Sequence, residues 1–136
     1  MITNSNAENS LREILKAEGY SLTPHRTNGE NGVDIIAEKQ NNKIFIEVIG
    51  YKKTGAARSK DFCEVFFRAI SRLKDGAEKL VIALPMEFKV GIKQRTDKQE
   101  VSWSRIGDAF PELNVWFIDT TNNKLDTYSW NQLAEI

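Results

Sequence analysis

Two acidic residues occupy positions where acids are costly. Asp34 lies in the run Val33-Asp34-Ile35-Ile36-Ala37-Glu38, and Glu47 in Lys43-Ile44-Phe45-Ile46-Glu47-Val48-Ile49-Gly50. Both runs are β-branched and apolar, as strands are. A carboxylate inside such a run needs a compensating cation. Asn41-Asn42 between them is a hairpin signal. A turn centred there pairs Asp34 with Ile49 and Glu47 with Ile36, so the acids are offset by about two residues and can share one face. Two converging carboxylates suit a hard divalent cation, Mg²⁺ or Mn²⁺, whose remaining positions water fills. Such a cation polarises a phosphoryl oxygen and lowers the pKa of a bound water.

Other chemistries are excluded by counting. One cysteine, Cys63, and one histidine, His25, cannot build a zinc site of Cys and His. A Ser-His-Asp mechanism would rest on His25 alone, in a polar segment. Cys63 also cannot form an intramolecular disulfide, which fits a reducing, cytoplasmic compartment. It falls among phenylalanines and reads as core. The first ten residues show no basic and apolar signal pattern, and no apolar run approaches a membrane span.

The 19 basic and 19 acidic side chains give zero net charge, which excludes a purely electrostatic nucleic-acid binder. The balance hides an asymmetry, because residues 52–105 carry thirteen basic and seven acidic side chains. The densest stretch is 51–60, with Lys52, Lys53, Arg58 and Lys60 and no acid. It reads either as a phosphate-contacting loop or as a solvated surface.

The elements that must hold these groups fit one domain, 1–136. Leu11, Ile14 and Leu15 predict a helix over 7–18, stopped by Gly19. A short strand over 20–23 and an Asn/Gly turn over 28–32 follow, then strands over 33–38 and 43–50. Near-continuous apolarity in these strands implies helices on both sheet faces. The clearest helix covers 59–75, with Phe62, Phe66, Ala69 and Leu73 on one face and Cys63, Phe67 and Ile70 beside it. Lys60, Glu64, Arg68 and Arg72 form its polar stripe. A buried strand over 80–84 stops at Pro85, and 86–96 has no clear pattern. Asp97 to Glu100 resembles a capping box opening a helix to Phe110. A hairpin over 114–119 and 125–130 closes the chain. The order is α-β-β-β-α-β-α-β-β, a mixed α/β sheet flanked by helices.

Gly32-Val33-Asp34, then Ile46-Glu47-Val48-Ile49 after a hairpin, resembles the PD-(D/E)XK nuclease superfamily. The thirteen-residue interval from Asp34 to Glu47 fits its pattern of an acid followed by Glu-x-Lys. The later strand and terminal hairpin resemble XisH-type excision controlling factors, which share that fold. The resemblance implies a restriction-endonuclease-like fold and Mg²⁺-dependent DNA phosphodiester hydrolysis. Asp34 and Glu47 would be the metal ligands, and Glu8 in the first helix would be a third acid. It also implies a homodimer, since cutting two strands takes two sites.

The motif departs at Ile49, where the superfamily carries its catalytic Lys. Isoleucine supplies neither proton nor charge. Lys52, Lys53, Lys60, Arg68 or Arg72 could stand in. Arg68 is geometrically easiest, as a charge stabiliser rather than a base. The alternative is an inactive site on a fold kept for DNA-associated binding, regulation or assembly. Local readings stay open beside these. Glu8 also suits a helix amino end. Arg68 could simply pair with Glu64. Trp103, Trp116 and Trp130 could stack on bases or pack in the core.

Overall fold

The structure, a computed structural model, describes residues 1–26 and 32–136. The turn expected over 28–32 therefore lies, apart from Gly32, outside the described residues. Helix α1 (Asn4–Ala17) is capped by Thr3, whose hydroxyl accepts from the Asn6 amide at 3.0 Å. Strands β1 (Ser21–Leu22), β2 (Ile35–Lys39) and β3 (Asn42–Val48) follow. Helix α2 (Gly55–Ser71) starts four residues before the expected helix because Thr54 caps it, and a 3₁₀ turn over Arg72–Asp75 finishes it. Strand β4 (Leu80–Pro85) leads into helices α3 (Lys89–Lys98) and α4 (Glu100–Ala109). Strands β5 (Leu113–Asp119) and β6 (Lys124–Ser129) and a 3₁₀ turn over Asn131–Glu135 complete the chain.

All six strands form one mixed sheet in sequence order. β3, β4 and β5 run parallel, and the outer pairings are antiparallel. The parallel centre is covered on both faces, as its apolarity requires. On one face, Leu11, Ile14 and Leu15 of α1 pack on Ile46, Val48, Val81 and Ile118. On the other, Phe62, Val65 and Ala69 of α2 pack on Ile49, Ile82, Leu84 and Val115.

Several expectations are corrected. The β2–β3 turn is Gln40-Asn41, not Asn41-Asn42. Both residues have positive φ, 53° and 67°, which a two-residue hairpin turn of the primed type needs. Ile35 therefore pairs with Ile46. Continued by one residue, that register sets Asp34 opposite Glu47 rather than two residues away. Asp97 opens no helix; it lies inside α3, and α4 begins at Glu100. The patternless segment is largely α3, an additional helix that buries only Ile92 and Thr96 and so shows no apolar stripe. Cys63 and Phe67 are exposed rather than core, because α2 turns its Phe62-Val65-Ala69 side to the sheet.

The three tryptophans are buried and present no ring to a base. Trp103 and Trp130 stack at 4.0 Å, each indole N–H donating to the other's carbonyl. Gly107 lets α4 approach the terminal turn, where a Cβ would collide with Asn131.

Candidate active site

β2 and β3 bring the two acids together on the α2 face. Asp34 enters just ahead of β2, and its Oδ2 accepts from the Val48 amide at 2.9 Å. Glu47 lies in β3 between the parallel partner β4 and the start of β2. Asp34 is 8% exposed and Glu47 1%. α2 supplies Arg68, and Arg72 follows at its end. Arg68 Nη2 stands 3.6 Å from Asp34 Oδ2, and its Nε 3.7 Å from Glu47 Oε2. Arg72 Nε is 4.0 Å from Glu47 Oε1 and is drawn away by Asp75 at 3.1 Å. Arg26 Nη2 donates to Asp34 Oδ1 at 2.6 Å.

Asp34 is thus well bonded and Glu47 is not. Its Oε2 is buried with no hydrogen-bond partner among the described residues, and the contacts to Arg68 and Arg72 exceed hydrogen-bond length. Burial pushes the Glu47 carboxyl up to about 8, the negative charge of Asp34 adds to this, and Arg68 opposes it. Glu47 therefore keeps its proton near neutrality.

The other expected residues lie elsewhere. The Glu8 Oε2 accepts from Arg12 Nε at 2.8 Å and is 2.8 Å from His25 Nδ1. No group of three metal-ligating side chains forms among the described residues. Glu8 reaches the site only through Arg12, which donates to the carbonyls of Thr23 and Asp34 at 2.6 and 3.4 Å. Ile49 faces α2 as Glu47 does, 2% exposed in apolar core. Lys52 pairs with Asp61 at 2.9 Å and Lys60 with Glu64 at 3.9 Å. Lys53 is exposed beside them. Arg58 donates to the carbonyls of Lys52 and Lys53.

Gly50 lets the chain leave the sheet here. Its amide donates to Asn4 Oδ1, and a Cβ would strike the backbone of Ile2 and Thr3. Sequence reasoning missed Arg12 and Arg26. The Glu8–Arg12 spacing is a helix pair and was a usable signal; Arg26 reaches Asp34 through tertiary folding alone.

No protein-family model matches the chain, and no curated protein matches it in sequence. Solved structures do. An XisH family protein from Nostoc punctiforme superposes with a TM-score of 0.57 and 18% identity, over 89% of this chain and 96% of its own. An fdxN element excision controlling factor protein from Anabaena variabilis gives 0.60 and 19%, over 92% and 98%. The chain shares the fold of these XisH-type proteins. At such identity the likeness speaks for architecture, and it extends over nearly the whole of each neighbour. Among the described residues, no helix is long and apolar enough to cross a membrane.

Proposed function

We propose that the chain is a Mg²⁺-dependent DNA phosphodiesterase of the PD-(D/E)XK type, with a restriction-endonuclease-like fold, working as a cytoplasmic homodimer. The observation that carries this reading is the opposed pair Asp34 and Glu47, with one Glu47 oxygen buried beside Arg68 and unbonded among the described residues. Two carboxylates, with no third acid beside them among the described residues, suit Mg²⁺, which keeps several waters. Asp34 and Glu47 would hold the ion, and when bound it would supply Lewis-acid polarisation and a more acidic water. Arg68, half-exposed above both acids, is placed to stabilise charge developing on a phosphate. A guanidinium stays protonated, so Arg68 orients and neutralises but takes no proton. Arg12 fixes the Asp34 backbone from the opposite face.

Ile49 favours a second reading, a catalytically inactive nuclease-fold module that binds DNA. One experiment separates them. Calorimetry with Mn²⁺ and Mg²⁺ should show binding by wild type that Asp34→Ala abolishes. Plasmid and oligonucleotide cleavage should then be slow in wild type, lost in Arg68→Ala, and faster by about 10² or more in Ile49→Lys if that variant folds. Metal binding without cleavage in either chain supports the inactive module. No metal binding with or without DNA removes the hydrolase.

A further inference from the structure

α2 and α3 face each other across a cleft of about 520 Å³, distinct from the carboxylate pair. α2 contributes Gly55, Arg58 and Ser59, which are one turn of one face. α3 contributes Gly91, Gln94, Arg95 and Lys98, again a single face. Glu87 is the one acid in the lining.

Both arginines are fixed in place. Arg58 donates to the Lys52 and Lys53 carbonyls at 2.8 and 3.0 Å and lies 4.6 Å over the Tyr51 ring. Arg95 donates to Ser59 Oγ at 2.9 Å and lies 5.0 Å over Phe62. Arg12, Arg26, Arg68 and Arg72 all pair with carboxylates. Among the described residues, Arg58 and Arg95 pair with none, and both line the same hollow. Their positive charge is neither neutralised nor mobile, which is how an anion site is preorganised.

Gly91 is the second observation. A glycine inside a helix costs about 1 kcal/mol relative to alanine. Here a Cβ would meet nothing within 4 Å, so no packing contact requires the glycine. What its absence of side chain preserves is the open cleft.

We propose that the α2–α3 cleft binds the phosphodiester backbone of a DNA strand through Arg58, Arg95 and Lys98. Guanidinium forks with an ammonium, a hydroxyl and an amide match phosphate oxygens. The hollow is roomier than one phosphate needs, and the Lys52 and Lys53 carbonyls to which Arg58 donates tie it to the most basic stretch of the chain. The proposal rests on the reading of the protein as acting on DNA and adds where the strand is gripped.

The test is fluorescence anisotropy with labelled duplex and single-stranded DNA, in EDTA so that no metal takes part. Arg95→Gln/Lys98→Gln should bind about tenfold or more weakly, with a salt slope shallower by roughly 1.5 to 2 for two lost phosphate contacts. Gly91→Leu should lose binding similarly while melting no lower than wild type, since it fills the cleft and favours helix. Lys74→Gln/Lys124→Gln removes two charges elsewhere and should bind within about twofold of wild type. Equal loss in that control, or unchanged affinity in both cleft variants, overturns the proposal. So does wild type that binds tripolyphosphate but no DNA, which would make the cleft a small-anion site. The carboxylate reading fails separately. DNA binding at the cleft with no Mn²⁺ binding overturns the metal site alone, and Mn²⁺ binding with no DNA binding overturns the cleft alone.

Discussion

Two charge clusters sit on opposite faces of the same strands, and they are built to different standards. On the α1 face, Glu8, Arg12 and His25 meet at 2.8 Å, and Arg12 spends its remaining donors on backbone carbonyls. That is a satisfied network, and satisfied buried networks hold structure. On the α2 face, Glu47 meets its arginines at 3.7 and 4.0 Å and keeps an oxygen with no hydrogen-bond partner among the described residues. Folding alone gains nothing from that arrangement, since an apolar residue would serve the core better. The contrast separates a cluster that fastens α1 to β1 and β2 from one whose charges folding leaves incompletely paired.

The largest test of the contrast is pH. In the folded chain Glu47 keeps its proton up to about 8, whereas unfolded it ionises near 4.5. Between those values the folded state holds more protons. Its contribution to stability is therefore full below 4.5 and is lost as pH rises through 8. Denaturant unfolding should show stability falling steadily as pH rises across that window. Glu47→Gln should flatten the fall and be the more stable chain at alkaline pH. A wild-type profile already flat would mean that Glu47 is compensated after all.

Arg12→Ala comes next. It strips the Thr23 and Asp34 carbonyls and Glu8 of a buried partner and should cost about 3 kcal/mol. The two clusters thus respond with opposite signs, one stabilised and one destabilised by losing charge. A loss below about 1 kcal/mol would reduce Arg12 to a surface residue.

The smallest effect belongs to Glu8→Gln. Its carboxylate is partly exposed and His25 more so, and a glutamine still accepts from Arg12, so about 0.5–1 kcal/mol is expected. Measured beside Mn²⁺ affinity, this variant sharpens the boundary between the clusters. A tenfold weaker affinity would place Glu8 functionally with Asp34 and Glu47.

Residue by residue, the legible parts of the site were those written in local pattern. Asp34 and Glu47 stand out because acids interrupt apolar strands, and Arg68 because α2 repeats a polar residue every four. The one-residue error in the hairpin came from turn chemistry. Asn41-Asn42 is the stronger signal, yet the positive φ values that close the hairpin fall on Gln40 and Asn41, and the resulting two-residue shift in pairing leaves every side chain on its expected face, so the apolar pattern could not reveal it. α3 was unreadable because it buries so little, and with it went Arg95 and Lys98. Cys63 and Phe67 misled because an apolar side chain at helical spacing does not reveal which of two adjacent faces meets the sheet.

Sequence alone determined a mixed α/β fold with covered strands, an acid pair on one hairpin, an isoleucine where the motif it resembles has lysine, and a basic middle segment. Periodicity, turn residues and the cost of burying charge act over a few residues, so they can be read locally. Tertiary structure decided the rest: Asp34 directly opposite Glu47, Arg12 beneath it and Arg68 above it, and Arg58 brought to Arg95 across a cleft. Those pairings join residues 13 to 37 positions apart, and packing of whole elements selects them.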